Sequence, residues 1–287
     1  MADVSRHDDL ADFWARTRDF FNADPVFHTV PVAAVLRRLD DPHAGDGPPL
    51  LVTVTDHGEL VAAALRTPPW PLVVSGVPVE WAGVVAEELA GDDLPGAQGP
   101  RAEVEAFVRE WTARTGGGAR EVMAMRLFRL DELVAPTGIA GTSRRATEDD
   151  AELMVRWYLE FVDESMPAEP DEEVAWEFVR GTLAIGAGHV LWLRDGEPVS
   201  WACAGPPSSG MSRIGPVFTP GEHRRNGYAE AVTAATAQWA HQAGAEHVVL
   251  FADLANPTSN SIYQRIGFRP VGDAAEFAFT PPAVDGG

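Results

Sequence analysis

What constrains this chain most is a layout that occurs twice. In the second half the apolar run His189-Val190-Leu191-Trp192-Leu193 meets the turn residues Arg194-Asp195-Gly196-Glu197, and Val199 to Ala204 returns. In the first half Leu50 to Thr55, Asp56-His57-Gly58-Glu59 and Leu60 to Leu65 repeat the pattern, which is a hairpin signature. A third apolar strand follows each hairpin, Leu72-Val73-Val74 or Ile214 to Thr219. A helical pattern comes next, Val79 to Leu89 or Tyr228 to Ala243. So long a repeat implies two copies of one domain and not a solenoid. At 287 residues the chain has room for both. The turn-rich stretch Ala135-Pro136-Thr137-Gly138 predicts the junction, giving expected domains 1–136 and 137–287.

The copies differ where chemistry would sit. Between strand and helix the second copy carries His223-Arg224-Arg225-Asn226-Gly227-Tyr228-Ala229. A helix N-terminus leaves N–H groups unpaired and carries the positive end of the macrodipole, so it receives anions such as phosphates. Gly227 permits positive φ or close approach, Ala229 leaves the next amide uncovered, and Arg224 and Arg225 add charge. The first copy offers Gly76-Val77-Pro78-Val79-Glu80 instead, with no arginine and a proline that removes one donor. All three tyrosines, Tyr158, Tyr228 and Tyr263, lie in the second half. The first copy therefore reads as a domain kept for structure after losing its phosphate site.

Composition narrows the chemistry. Acids outnumber bases 43 to 22, for a net charge of −21, and every base is arginine. With no lysine, Schiff-base chemistry and the Walker-type phosphate loop are excluded. The acidity argues against nucleic-acid and anionic-membrane partners. Cys203, the one cysteine, sits in an apolar run, so neither a disulfide nor a cysteine-rich metal site is expected. The early acids exclude a signal peptide, and prolines 68, 69, 71 and 78 break the longest apolar region, which predicts a cytoplasmic protein without a membrane span.

The second half predicts a strand over about 139–146, helices over 148–163 and 170–186, and the hairpin 188–205. A strand over 211–219, a helix over 228–243, a strand over 247–253, a helix over 257–266 and a closing strand pair over 268–280 complete it. Thr147 is the expected N-cap of the first of these helices. Pro216 falls inside an otherwise central strand, where it cannot donate to the ladder, so a bulge or parting of strands is expected there. A parted strand leaves backbone groups of Val217 to Thr219 free beside the cationic loop.

After the buried-strand run His247 to Asp253 comes Asn256-Pro257-Thr258-Ser259-Asn260-Ser261-Ile262-Tyr263-Gln264-Arg265-Ile266-Gly267-Phe268. Asn256 suits an N-cap, Pro257 the first helical position and Gly267 the helix end. Tyr263 lies seven residues past Asn256, two turns along the same side.

With Arg224 to Ala229 matching a (Gln/Arg)-x-x-Gly-x-(Gly/Ala) loop and Asn256 to Phe268 matching an Asn…Ser/Ala…Tyr-x-x-x-Gly-Phe segment, the second half resembles the GNAT superfamily of acyl-CoA-dependent N-acetyltransferases. Over the first half the likeness rests on the repeated layout. The implied fold class is α/β, with a mixed α+β sheet: two tandem GNAT-like domains, each a mostly antiparallel twisted sheet flanked by helices, the first a degenerate copy. The resemblance implies acetyl-CoA or a related acyl-CoA as cofactor and an amine, most simply a small molecule, as acceptor. It places backbone groups of Val217, Phe218 and Thr219 along the pantetheine arm and amides of Arg225, Asn226, Gly227, Tyr228 and Ala229 on the pyrophosphate, with Arg224 opening the loop. Asn256 would contact the arm, Ser259 would face the cofactor, and Tyr263 would protonate the departing thiolate.

One requirement is unmet. An alkyl amine is protonated at neutral pH, and freeing its lone pair costs roughly 4 kcal/mol. Many GNAT enzymes carry a glutamate on the strand before the loop, yet Met211 to Thr219 contains no acid. The candidates are Asp253, at the end of the next strand, and Glu160, Asp163 and Glu164 on the acceptor side. A different class of function, a non-catalytic acyl-CoA sensor or interaction module, would account for the missing base and the decayed first copy.

Overall fold

The computed structural model describes residues 2–41, 45, 47–166 and 169–281. The chain divides into two compact units. One holds the residues up to Ala124 with those from Gly272 on, and the other holds Met125–Val271.

In the first unit β1 (Asp3–Arg6), β2 (Leu50–Asp56), β3 (Glu59–Arg66) and β4 (Leu72–Gly76) pair antiparallel in that order. β4 then pairs parallel with β5 (Gly96–Pro100), at Leu72↔Ala97 and Val73↔Gln98. The helices are α1 (Leu10–Asn22), α2 (Thr29–Asp40), the seven-residue α3 (Ala82–Glu88) and α4 (Arg101–Thr115). Asp9 caps α1 by accepting from the Asp12 amide at 2.8 Å, and Gly116 ends α4 at φ 72°. Alternate residues of β2 and β3 (Val52, Val54, Ala62, Ala64) face α3 and α4 through Val85, Leu89, Phe107 and Trp111 in one core.

In the second unit β7 (Thr142–Arg145), β8 (Val190–Arg194), β9 (Glu197–Ala204) and β10 (Met211–Phe218) are antiparallel neighbours. β10 pairs parallel with β11 (His247–Asp253), which pairs antiparallel with part of β6 (Gly118–Leu130). α5 (Ala151–Ser165) and α6 (Glu172–Ala184) cover one face, burying Met154, Trp157 and Val179 against Leu191, Trp201 and Phe218. α7 (Tyr228–Gln242) and α8 (Pro257–Arg265) cover the other. α7 turns Ala231, Ala234, Ala237 and Ala240 to the sheet, a stripe of small side chains that lets it lie close on β9 and β10.

The repeated layout is present in both units. Each hairpin turns through two positive-φ residues, His57 (51°) and Gly58 (88°) or Asp195 (52°) and Gly196 (88°), the turn whose twist matches the strands it joins. Two expectations differ from the structure. The closing strand pair is one 13-residue strand, β12 (Phe268–Thr280), which runs through Pro270-Val271-Gly272-Asp273 without reversing and pairs at Ala274–Ala278 with β5. The division also does not fall at 136/137. β6 runs unbroken through Ala124, and its Met125–Arg129 pair with β11, while Ala274–Ala278 of β12 pair with β5. The sheet of each unit is thus completed by a strand from the far half of the sequence.

Candidate functional site

The site begins at Pro216. β10 and β11 pair from Met211↔His247 to Ile214↔Leu250, and the described pairing stops there. On its other side β10 slips register against β9 between Ile214 and Val217, at the Gly215–Pro216 cis peptide. The expected bulge is therefore present, and beyond it the β11-facing edge of β10 has no strand partner. The hydroxyl of Ser200, on β9, donates to the Phe218 carbonyl at 2.9 Å, so that carbonyl points away from the gap. Backbone directions alternate along a strand, which turns the polar groups of Val217 and Thr219 toward it. Of the three residues placed along the arm, Val217 is the one left open. The Thr219 carbonyl accepts from Arg224 Nε at 3.0 Å, and its hydroxyl lies 2.8 Å from that of Ser200.

The gap leads into the loop before α7. Gly227 takes φ 81°, and Arg225 takes φ 64° without being glycine, a conformation that costs about 1 kcal/mol or more. A Cβ on Gly227 would lie 2.9 Å from Ile139 Cδ1, so the end of that side chain would have to move, but it is the positive φ that favours glycine. Asn226 Nδ2 donates to the carbonyls of His223 and Arg224, both at 3.1 Å, and closes the loop on itself. No side chain caps α7, whose first helical bond is Ala231 N–H to Gly227 O at 3.0 Å. Among the described residues the amides from Arg225 to Glu230 have no acceptor. Several donors at the positive end of a 15-residue helix form an anion seat.

The two arginines of the loop are not equivalent. Arg224 pairs with Glu164 at the end of α5, Nη2 to Oε2 at 2.5 Å, besides bonding Thr219. Arg225 is exposed and has no partner among the described residues, so it is the free cation at the seat.

α8 follows β11 and packs on β11 and α7. Asn256 caps it, accepting from the Ser259 amide at 3.1 Å, with Pro257 at the start as expected. Asn260, one turn on, donates through Nδ2 to the carbonyls of Asp253 and Asn256, both at 2.8 Å. The Tyr263 ring is buried edge-on between Phe128 and Phe268, with both centroid distances 6.2 Å. Its hydroxyl has no hydrogen-bond partner among the described residues, and burial pushes its pKa up to about 12. The phenol therefore stays protonated throughout the neutral range.

The candidate bases have local duties. Asp253 is exposed, and its carboxylate accepts the Ala255 amide at 2.8 Å, ordering the turn into α8. Glu164 is held by Arg224. Glu160 and Asp163 are exposed on α5, the helix that packs on β10. Cys203 is no nucleophile: burial pushes its thiol up to about 12. His189, fully buried beside it, accepts from Trp201 Nε1 at 3.3 Å through Nδ1, so Nε2 carries the proton and faces Thr182 at 2.9 Å. Among the described residues no three His, Cys, Asp or Glu side chains gather as a metal site, and no helix is long and apolar enough to cross a membrane.

The residues missed from sequence are Ser200, a hydroxyl in the apolar run Val199 to Ala204, and Ile139, which backs Gly227. Ser200 was visible as the one polar residue of that run; Ile139 gave no signal.

The corresponding place in the first unit is filled. A Cβ on Gly76 would meet Ala63 O at 2.6 Å and the Phe21 ring at 2.7 Å, and Val77 is fully buried. A Cβ on Gly99 of β5 would lie 3.1 Å from Val74 Cγ2 and 3.3 Å from the Ser75 amide, so β4 and β5 stay together past their paired residues. Pro78 stands where the cationic loop would be, and a 3₁₀ turn follows at Val79–Trp81.

Residues 151–268 match the model of the acetyltransferase (GNAT) family. No curated protein matches the sequence at significance. Among solved structures, a GCN5-related N-acetyltransferase from Sphaerobacter thermophilus is similar over 98% of this chain and 97% of its own, at 19% identity and TM-score 0.63. A GNAT-family acetyltransferase from Colwellia psychrerythraea is similar over 97% and 99%, at 9% identity and TM-score 0.61. A tandem GNAT protein from the clavulanic acid biosynthesis pathway, solved without acetyl-CoA, is similar over the whole of both chains, at 14% identity and TM-score 0.57. At these identities the likeness is one of fold, and it extends over both halves.

Proposed function

We propose, from the match of residues 151–268 to the GNAT-family model and the likeness of the whole chain to a tandem GNAT structure, that this protein moves an acetyl group from acetyl-CoA to a primary amine of a small molecule. Attack is direct, in a ternary complex. The observation that carries this reading is the unpaired edge of β10 running into the uncapped amides of α7. An extended amide-bearing arm fits the first and a diphosphate the second. Val217 offers backbone groups to the arm, and the amides from Arg225 to Ala229, with the Arg225 guanidinium, take the pyrophosphate. Asn256 and Ser259 flank the arm at the start of α8. Among the described residues the one cysteine, Cys203, is buried and unavailable as a nucleophile for a covalent intermediate.

The reaction balances without a buried base. A neutral amine nitrogen attacks the thioester carbonyl, the C–S bond breaks, and the proton shed by nitrogen ends on sulfur. Tyr263 serves as the hydrogen-bond donor to the departing thiolate and passes that proton along. Deprotonation of an ammonium before attack falls to solvent, to Glu164 once it parts from Arg224, or to Asp253. An acceptor of low basicity removes that step. The first unit, whose equivalent crevice is filled, acts as scaffold, giving one active site per chain and a cytoplasmic enzyme that needs no metal.

Calorimetry with CoA, followed by a thiol-release screen of acetyl-CoA against an amine library, tests this. Binding together with amine-dependent release supports transfer. Binding with no release across the library favours a sensor, and no binding at millimolar CoA overturns both.

A further inference from the structure

Two acids flank the anion seat, and they are held differently. Glu164 pairs with Arg224 in the open, each side chain 44% exposed. Glu230 is the third residue of α7, so its own amide belongs to the seat, and its side chain is 16% exposed. Arg265 reaches it from α8, with Nε and Nη2 at 3.2 and 2.7 Å from the same Oε2. Arg265 is itself steadied by Nη1 donating to Ser261 one turn earlier, at 2.7 Å.

We propose that Arg265 is a positioning residue of the cofactor seat: it neutralises Glu230, so that the first turn of α7 accepts a diphosphate. The proposal rests on the assignment of the α7 N-terminus to the CoA pyrophosphate. An isolated carboxylate in a first helical turn is favourable while the seat is empty, because it meets the positive end of the helix. The same carboxylate repels a diphosphate on the adjacent amides, and its low exposure limits screening by water. A cation fixed on Glu230 removes that repulsion without entering the seat. It also ties α7 to α8, the helices carrying the amides and Tyr263.

The test titrates CoA and pantetheine, which has no phosphate, into the full-length protein and the R265Q, E230Q and E230Q/R265Q variants at low ionic strength, with circular dichroism to confirm folding. R265Q should weaken CoA about tenfold, equivalent to about 1.4 kcal/mol, and leave pantetheine within about twofold. E230Q should tighten CoA about threefold, and the double variant should fall within about twofold of E230Q. The proposal is overturned if R265Q leaves CoA affinity unchanged, if pantetheine weakens in parallel, if E230Q weakens CoA, or if the double variant is not rescued. Should R265Q not fold, the E230Q result decides. Failure of the wild-type protein to bind CoA overturns the functional assignment itself, an outcome distinct from all of these.

Discussion

Glu164 reaches Arg224 at 2.5 Å, joining the end of α5 to the loop that opens α7. One of the two arginines beside the anion seat is therefore spent on a carboxylate and a carbonyl, and the other, Arg225, is not.

Charge reversal should separate the two. Arg225→Glu is expected to weaken CoA tenfold or more, on the order of 1–2 kcal/mol, with the loss shrinking as salt rises. Arg224→Gln should cost about threefold or less, because an exposed pair of this kind contributes about 0–1 kcal/mol. Calorimetry at two ionic strengths reads both effects. Equal losses would mean that Arg224 leaves Glu164 when the cofactor arrives.

Gly227→Val should abolish CoA binding while the protein stays folded. The new side chain would sit at φ 81°, which strains the loop, and would press on the Ile139 side chain. The expected stability cost is about 1–3 kcal/mol, measured by urea unfolding. Undiminished CoA affinity would show that the seat lies elsewhere.

Tyr263→Phe keeps both aromatic contacts and removes a hydroxyl that has no partner. Stability should change by less than about 0.5 kcal/mol, since no hydrogen bond is lost. Turnover should fall about 100-fold, with CoA affinity within about twofold. Steady-state kinetics beside calorimetry would expose the opposite result, an affinity loss with turnover intact.

Acid should destabilise both units through one buried histidine in each. Burial lowers His28 and His189 from 6.5 to about 4, so the unfolded chain binds more protons between these values. Their contribution is complete above pH 6.5 and is lost as pH falls toward 4, by roughly 3 kcal/mol per histidine at most. His189→Leu should flatten this decline. It should also lower stability at pH 7 by about 1–3 kcal/mol, because the Trp201 N–H loses its acceptor. Urea midpoints from pH 4 to 8 measure both, and a variant as steep as the parent would count against His189.

Ending the chain at Gly272 removes the antiparallel partner of β5 and leaves β4 on its other side. Amides of Gly96–Pro100 should then lose hydrogen-exchange protection, while those of Val248–Leu250 retain theirs. Uniform loss throughout would mean that the units unfold as one.

Local signals were legible in the sequence. The paired turns at His57-Gly58 and Asp195-Gly196, the irregularity at Pro216 and the cap at Asn256 each arise within a few residues, where side-chain chemistry dictates the backbone. The exchanged strands were hidden because a strand's sequence carries its faces and not its partner. Ala274 to Ala278 would suit many edges, and nothing local points to Gly96. The site divides in the same way. Gly227 announced itself through conformation, whereas the partners of Arg224, Glu230 and Ser200 lie on other elements. Asp253 drew attention as an acid at a strand end, and the structure gives it a turn to hold.

The strand that seals β11 limits how the chain can be cut. Met125–Arg129 lie upstream of residue 136, yet they pair with Asp253–Val249. A deletion up to residue 136 would strip the strand that pairs with β11 from the second unit. Neither half of the sequence therefore encodes a complete sheet, and cutting the chain between them leaves each piece without a strand that the other supplies.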